Sequence, residues 1–287
     1  MNNYQDNYIV IVVKCFRANL RGNQMKKRFA VMLGGALLLG STASAFATCA
    51  DILSAWRPSD FNAVGSAGNG GYGLPMWISA VDETGTVCAV VNSAGSGAAI
   101  GNKSWLGSRV ISMQKANTAN AFSLDAFSIS TAQLYGLTQP GGSLFGLQES
   151  NPINPAVAYA GNATNFGAGT SDPAVGLRIG GVNVFGGGLA LYKKGVKVGA
   201  IGVSGDTSCT DHAVAWKLRA LMGLDSVPGG FISDYSGKPA WAIGDEMIIN
   251  TTASVTAVAN TYEQVSCAHN KISNPTAGAA TGVIIIP

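Results

Sequence analysis

From Gly180 to Gly223 the chain is laid out as strand, turn, strand and helix with little to spare, and that run constrains the fold more than any other. Val182 to Phe185 and Leu189 to Tyr192 are apolar, Lys193-Lys194-Gly195 makes a turn, and Val196 to Val203 resumes the apolar pattern of a β-hairpin. A helix follows at once. Ser208 with Asp211 three residues on is a capping-box-like start, Gly223 supplies a left-handed stop, and Val214, Leu218 and Leu221 form a buried stripe on a helix of about Cys209 to Met222.

The upstream half repeats the arrangement. Met76 to Val81 and Thr86 to Val91 flank Asp82-Glu83-Thr84-Gly85, a second hairpin, and Arg109 to Phe122 carries Val110, Met113 and Ala116 at helical spacing with Ser108 placed as its cap. Strand pairs joined by tight turns and interleaved with helices predict an α+β chain, an antiparallel sheet with helices packed on it rather than a doubly wound parallel sheet. Gln139-Pro140-Gly141-Gly142 and the stretch from Asn151 to Pro173 read as long surface loops. Residues 48–75 read as an irregular arm with five closely spaced glycines, residues 76–224 as the core domain, and residues 225–287 as an extension of the same domain.

Met25-Lys26-Lys27-Arg28 followed by the apolar run Phe29 to Gly40 and the small residues ending at Ala45-Phe46-Ala47 has the layout of a secretory signal, residues 25–47. Residues 1–24 then read as a mis-assigned start or an extra leader, and the mature protein as periplasmic or secreted. Cleavage removes six of the eighteen Lys and Arg and one of the fifteen Asp and Glu, so the net charge moves from +3 to −2. A weakly acidic chain without a basic cluster offers no counterion-releasing surface, which argues against nucleic acid and against membrane as partners. Four cysteines remain, Cys49, Cys88, Cys209 and Cys267, and in an oxidising compartment they predict two disulfides among three open connectivities.

The glycine-rich runs Gly180-Gly181-Val182-Asn183-Val184-Phe185-Gly186-Gly187-Gly188-Leu189-Ala190-Leu191 and Val198-Gly199-Ala200-Ile201-Gly202-Val203-Ser204-Gly205-Asp206, with Asp211-His212-Ala213-Val214-Ala215 after them, resemble the GlcG/HbpS-like haem-binding proteins. Ala80-Val81-Asp82-Glu83-Thr84-Gly85, Gln114-Lys115-Ala116-Asn117-Thr118-Ala119 and Gln139 to Leu147 extend the resemblance to residues 76–224. It implies a profilin-like sandwich, frequently a homo-oligomer, with haem binding or haem-linked iron handling in some members. The family also resembles a domain attached to some cobalamin adenosyltransferases, so other tetrapyrroles come into view.

A haem ligand needs a donor atom, and the mature chain has two histidines, His212 and His269. His212 lies in the first turn of the second helix, about 200° around from Val214, so it is expected on a face with Ala215, Trp216 and Arg219. Trp216 could then stack on the macrocycle and Arg219 meet a propionate. Tyr135, Tyr192 and Met113 are weaker donor candidates. Cys209, His212, Cys267 and His269 could instead form a zinc set, but a Cys209–Cys267 disulfide tying the tail to the helix is preferred over zinc. Gly202-Val203-Ser204-Gly205-Asp206 is a nucleophile-elbow pattern that fails at Asp206, where glycine is required. Together these readings favour an exported haem- or tetrapyrrole-binding protein in which binding outweighs turnover. The alternative is an oligomeric structural or ligand-sensing protein that binds no haem.

Overall fold

The computed structural model of the chain describes residues 47–66, 69–236, 238–267, 276–277 and 283–286. The signal segment apart from Ala47, residues 1–24 and His269 lie outside the described residues. In chain order the elements are α1 (Cys49–Leu53), α2 (Pro58–Ser66), β1 (Trp77–Asp82), β2 (Val87–Asn92), α3 (Leu106–Phe122), α4 (Pro155–Ala158), β3 (Ala168–Gly169), β4 (Gly188–Lys193), β5 (Val196–Ser204), α5 (Ser208–Leu221), β6 (Met247–Asn250), α6 (Val255–Val258), β7 (Glu263–Val265), β8 (Thr276–Ala277) and β9 (Val283–Ile286).

Both expected hairpins form, and they meet through β1 and β5 in an antiparallel sheet of order β3-β2-β1-β5-β4, with Trp77 opposite Ser204. In the first turn the Asp82 carboxylate accepts from the Thr84 and Thr86 amides, and Gly85 takes the positive φ (80°) the reversal requires. Every residue of β1 is buried because each face of the sheet has a cover. Trp77 and Val81 point to α3, where Val110, Met113, Ala116 and Ala119 meet them. Ile78 and Ala80 point to the opposite face, filled by Ile52, Trp56 and Phe61 from the arm and by Val214 and Leu218 from α5.

Several expectations need correction. Residues 48–75 are not simply irregular: α1 and α2 form there, and their apolar side chains are part of the core. The arm is tied down by the Cys49–Cys88 disulfide and by Asp206, whose carboxylate accepts the Tyr72 (2.9 Å) and Leu74 (3.1 Å) amides. Asp206, the residue that broke the nucleophile pattern, thus anchors the arm. Ser108 lies inside α3, which starts two residues earlier, and Thr207 rather than Ser208 caps α5 by accepting from the Thr210 amide. Leu221 is 57% exposed and leaves the stripe of Val214 and Leu218. Val182 to Phe185 is not a strand, although Val182 and Val184 pack beside Leu134.

The 151–173 stretch is more than a surface loop. It contributes edge strand β3 and Asp172, whose buried carboxylate takes a bidentate contact from Arg109 of α3 while also accepting the Gly167 and Ala174 amides. The tail carries a second sheet of order β7-β6-β9-β8, in which β6 pairs parallel with β7 and antiparallel with β9. The open edge of β4 is closed by other parts of the chain. Thr131 exchanges hydrogen bonds with Gly188, Arg219 donates to the Ala190 carbonyl (3.1 Å), and the Tyr192 amide donates to the Leu224 carbonyl (2.8 Å).

Candidate functional site

The candidate residues gather around the first two turns of α5. Thr207, itself extended, caps α5, and Asp211 and His212 lie on the side of Gly186-Gly187-Gly188. Those glycines are needed for contact. A side chain at Gly187 would sit 3.0 Å from both the Asp211 Cβ and the Lys115 Nζ, and one at Gly186 would sit 3.0 Å from the His212 Cβ.

Lys115 crosses from α3 to reach this point. Its buried ammonium donates to Asp211 (2.7 Å) and to the Val203 carbonyl (3.0 Å), and lies 5.0 Å from the centre of the Phe185 ring. Burial pulls the Lys115 pKa down and pushes Asp211 up to about 6, in each case against the attraction of the partner. The pair joins the two helices that cover opposite faces of the sheet.

His212 has no exposed surface, and neither Nδ1 nor Nε2 has a hydrogen-bond partner. Burial, and then the positive charges of Arg219 and Lys115, lower its pKa to about 3, so the ring is neutral at physiological pH. A neutral imidazole is the form that ligates metals. Arg219 and Trp216 do lie together, with the guanidinium 4.5 Å from the centre of the indole. Arg219 is also buried and committed: Nη1 and Nη2 make a bidentate contact with Asp245 (2.6 and 2.8 Å). The expected open face of His212, Trp216 and Arg219 is therefore closed in this structure. Only Trp216 is partly exposed.

The extension reaches the same place as His212. Met247 fills the space left by Gly186, its Cε 2.0 Å from where a Cβ would be, and with Ile249 it packs on Cys209 and Ala213. Sequence reasoning did not single out Lys115, Asp245 or Met247; the lone Lys in the apolar stripe of α3 was the signal available for the first.

The remaining candidates have other partners. Tyr192 is buried and donates to the Leu124 carbonyl (3.0 Å), Met113 belongs to the core under α3, and Tyr135 is partly buried with its pKa raised by desolvation. Cys209 and Cys267 are bonded to each other and Cys49 to Cys88, which settles the connectivity and removes the thiolates a zinc set would need. Among the described residues Cys49, Asp82 and Cys88 are the group that brings three ligand-type atoms together, and both sulfurs there are in the disulfide.

An antiparallel five-stranded sheet covered by helices on both faces, with a glycine-lined junction between sheet and α5 that brings backbone into close contact, defines an α+β class. The family model described as haem degrading protein HbpS-like matches residues 63–219, more than half of the chain, and the chain belongs to that family. Among solved structures it is similar to protein ORFY of Klebsiella pneumoniae, a DUF336 protein, at 20% identity, covering 60% of this chain and 89% of that one with a TM-score of 0.39. It is also similar to PduOC in its complex with heme, at 22% identity, covering 60% and 91% with a TM-score of 0.39. No curated protein matches the chain.

Proposed function

We propose that this protein is an exported member of the HbpS-like family that binds haem or a related tetrapyrrole, with His212 as the iron ligand. The observation that carries the reading is a neutral imidazole, fully buried, with both nitrogens unpartnered. Burying two polar nitrogens without partners costs about 1–3 kcal/mol, a cost that a role in ligation accounts for. The donor fits iron. The space beside it does not yet fit a macrocycle, because His212 is fully buried, Met247 fills the space at Gly186 beside the His212 Cβ, and Asp245 holds Arg219. Bound iron would supply the metal chemistry; the chain's part is to present one neutral nitrogen in an apolar surrounding, and the reading is of binding rather than turnover.

Export is supported by the signal-like layout of residues 25–47 and by the two disulfides. Among the described residues no helix is long and apolar enough to cross a membrane. Self-association is supported by exposed apolar side chains such as Leu124, Phe145 and Trp105.

The test is a haem titration of residues 48–287 followed at the Soret band, with disulfides intact and after reduction, alongside His212→Ala and His269→Ala. The expected result is saturable binding lost in His212→Ala and kept in His269→Ala. Absence of saturable binding in both redox states overturns the proposal in favour of a ligand-sensing protein without haem. Binding unaffected by His212→Ala moves the ligand elsewhere, and decay of the band with time would reveal turnover.

A further inference from the structure

A ligating imidazole must be reachable, and His212 is fully buried at Gly186, where Met247, from a segment outside the family match, fills the space beside it. Asp245 is the fixed end of that segment, pinned to Arg219 by two hydrogen bonds. Met247 and Ile249 of β6 then lie on the Cys209 side of α5, β7 pairs beside them with Gln264 opposite Ile249, and two residues beyond β7 the chain is bonded through Cys267 to Cys209. The sulfurs receive several donors: Cys267 Sγ has the Cys209 amide at 3.1 Å, the Ser208 hydroxyl at 3.2 Å and Gln264 Nε2 at 3.3 Å. These donors stabilise Cys267 as a thiolate once it is released, and Cys209, in the first turn of α5 with Gln264 Nε2 at 3.5 Å, has the helix N-terminus to stabilise its own thiolate as it leaves.

We propose that Met247 to Cys267 is a disulfide-latched cover over His212, which an external dithiol opens. This rests on the reading of His212 as the ligand and adds its control. One thiolate of the dithiol attacks Cys267 Sγ, the half-buried sulfur, and the Cys209 thiolate leaves. The second thiol then attacks the mixed disulfide, releasing Cys267 as thiolate and the reagent as its own disulfide. Two electrons and two protons pass to the protein, and the cover is held from then on at its Asp245 end, by Arg219 and Gln133, and by the packing of Met247 and Ile249 on Cys209 and Ala213.

The experiment is diethylpyrocarbonate labelling of residues 48–287, with the peptides carrying His212 and His269 quantified separately by mass. Four samples are compared: oxidised wild type, wild type in excess dithiol, Cys267→Ser and Cys88→Ser, the last opening the other disulfide. His212 should stay unlabelled in oxidised wild type and Cys88→Ser, and label about tenfold faster or more in the other two, as local opening without global unfolding allows. Equal labelling in all four, or protection in reduced and folded protein, overturns the cover. Should Cys267→Ser fail to fold, hydrogen exchange of reduced wild type decides: exchange confined to Met247–Asn250 supports the proposal, and loss of protection throughout β1 and β5 overturns it. The haem arm separates the two readings. Exposure of His212 without saturable haem binding keeps the cover and sinks the haem ligand; equal haem binding in oxidised and reduced protein does the reverse.

Discussion

At the scale of single residues, His212 is a destabilising group that the rest of the molecule tolerates. Its ordinary pKa of 6.5 falls to about 3 in the folded chain, so between these values the unfolded state takes up a proton that the folded state refuses. Its contribution is therefore full above pH 6.5 and is lost as pH falls towards 3, an effect on the order of 5 kcal/mol. Asp211 works the other way. Raised from 3.8 to about 6, it favours the folded state at acid pH and withdraws that stability as pH rises through the same window, by the smaller shift. Between pH 4 and pH 6 the two oppose each other, with Glu246, also raised by burial, on the side of Asp211; above pH 6 the His212 component continues to favour the folded state as pH rises to 6.5. His212→Leu removes the larger component together with two unpartnered nitrogens, and is expected to gain about 1–3 kcal/mol at pH 7 and to reverse the slope below it. Thermal unfolding at several pH values decides; an unchanged pH profile would mean that the buried imidazole is not the titrating group. From sequence, scarcity of histidine pointed to His212 and its neighbours on the helix, but not to its burial, because the cover comes from residues 35 or more positions away.

At the scale of elements, the two hairpins and the two long helices were legible because each needs only local information: apolar alternation, a turn glycine and a stop. The glycines between them carry a long-range message. A side chain at Gly202 would come within 1.9 Å of the Ser112 carbonyl and 2.5 Å of the Ala116 amide, so α3 packs with its backbone on β5. Both atoms are backbone and cannot rotate away. Gly202→Ala is expected to cost about 3 kcal/mol by overpacking, whereas Gly195→Ala, where no atom lies within reach but φ is 80°, should cost about 1 kcal/mol through backbone strain alone. Denaturant midpoints of the two variants test the ranking, and a Gly202→Ala protein as stable as wild type would mean that α3 is not held that closely. The arm was illegible for the opposite reason. α1 and α2 are five and nine residues long, too short to stand by themselves, and they are helical because Cys49–Cys88 and the burial of Ile52, Trp56 and Phe61 make them so.

At the scale of the whole molecule, the family sheet is complete by α5, and the arm before it and the extension after it are each fastened by a disulfide. Closing 39 and 58 residues, each disulfide contributes about 4 kcal/mol by loop-closure entropy. The tail has a second fastening independent of sulfur, the Arg219–Asp245 pair, with Gln133 Nε2 adding bonds to the Gly244 and Glu246 carbonyls. A buried ion pair is worth little against an apolar pair but much against one uncompensated charge. Asp245→Asn leaves the Arg219 guanidinium buried without its counter-charge and should cost about 3–5 kcal/mol. Where that loss falls is the informative part. If the extension is an addition to a self-sufficient sheet, β6 amides should exchange faster while those of β1 and β5 keep their protection, since β4 retains the Thr131 and Leu224 hydrogen bonds along its edge. Equal loss in β1, β5 and β6 would show that sheet and extension unfold as one unit, and a cover that cannot open separately cannot regulate what lies beneath it.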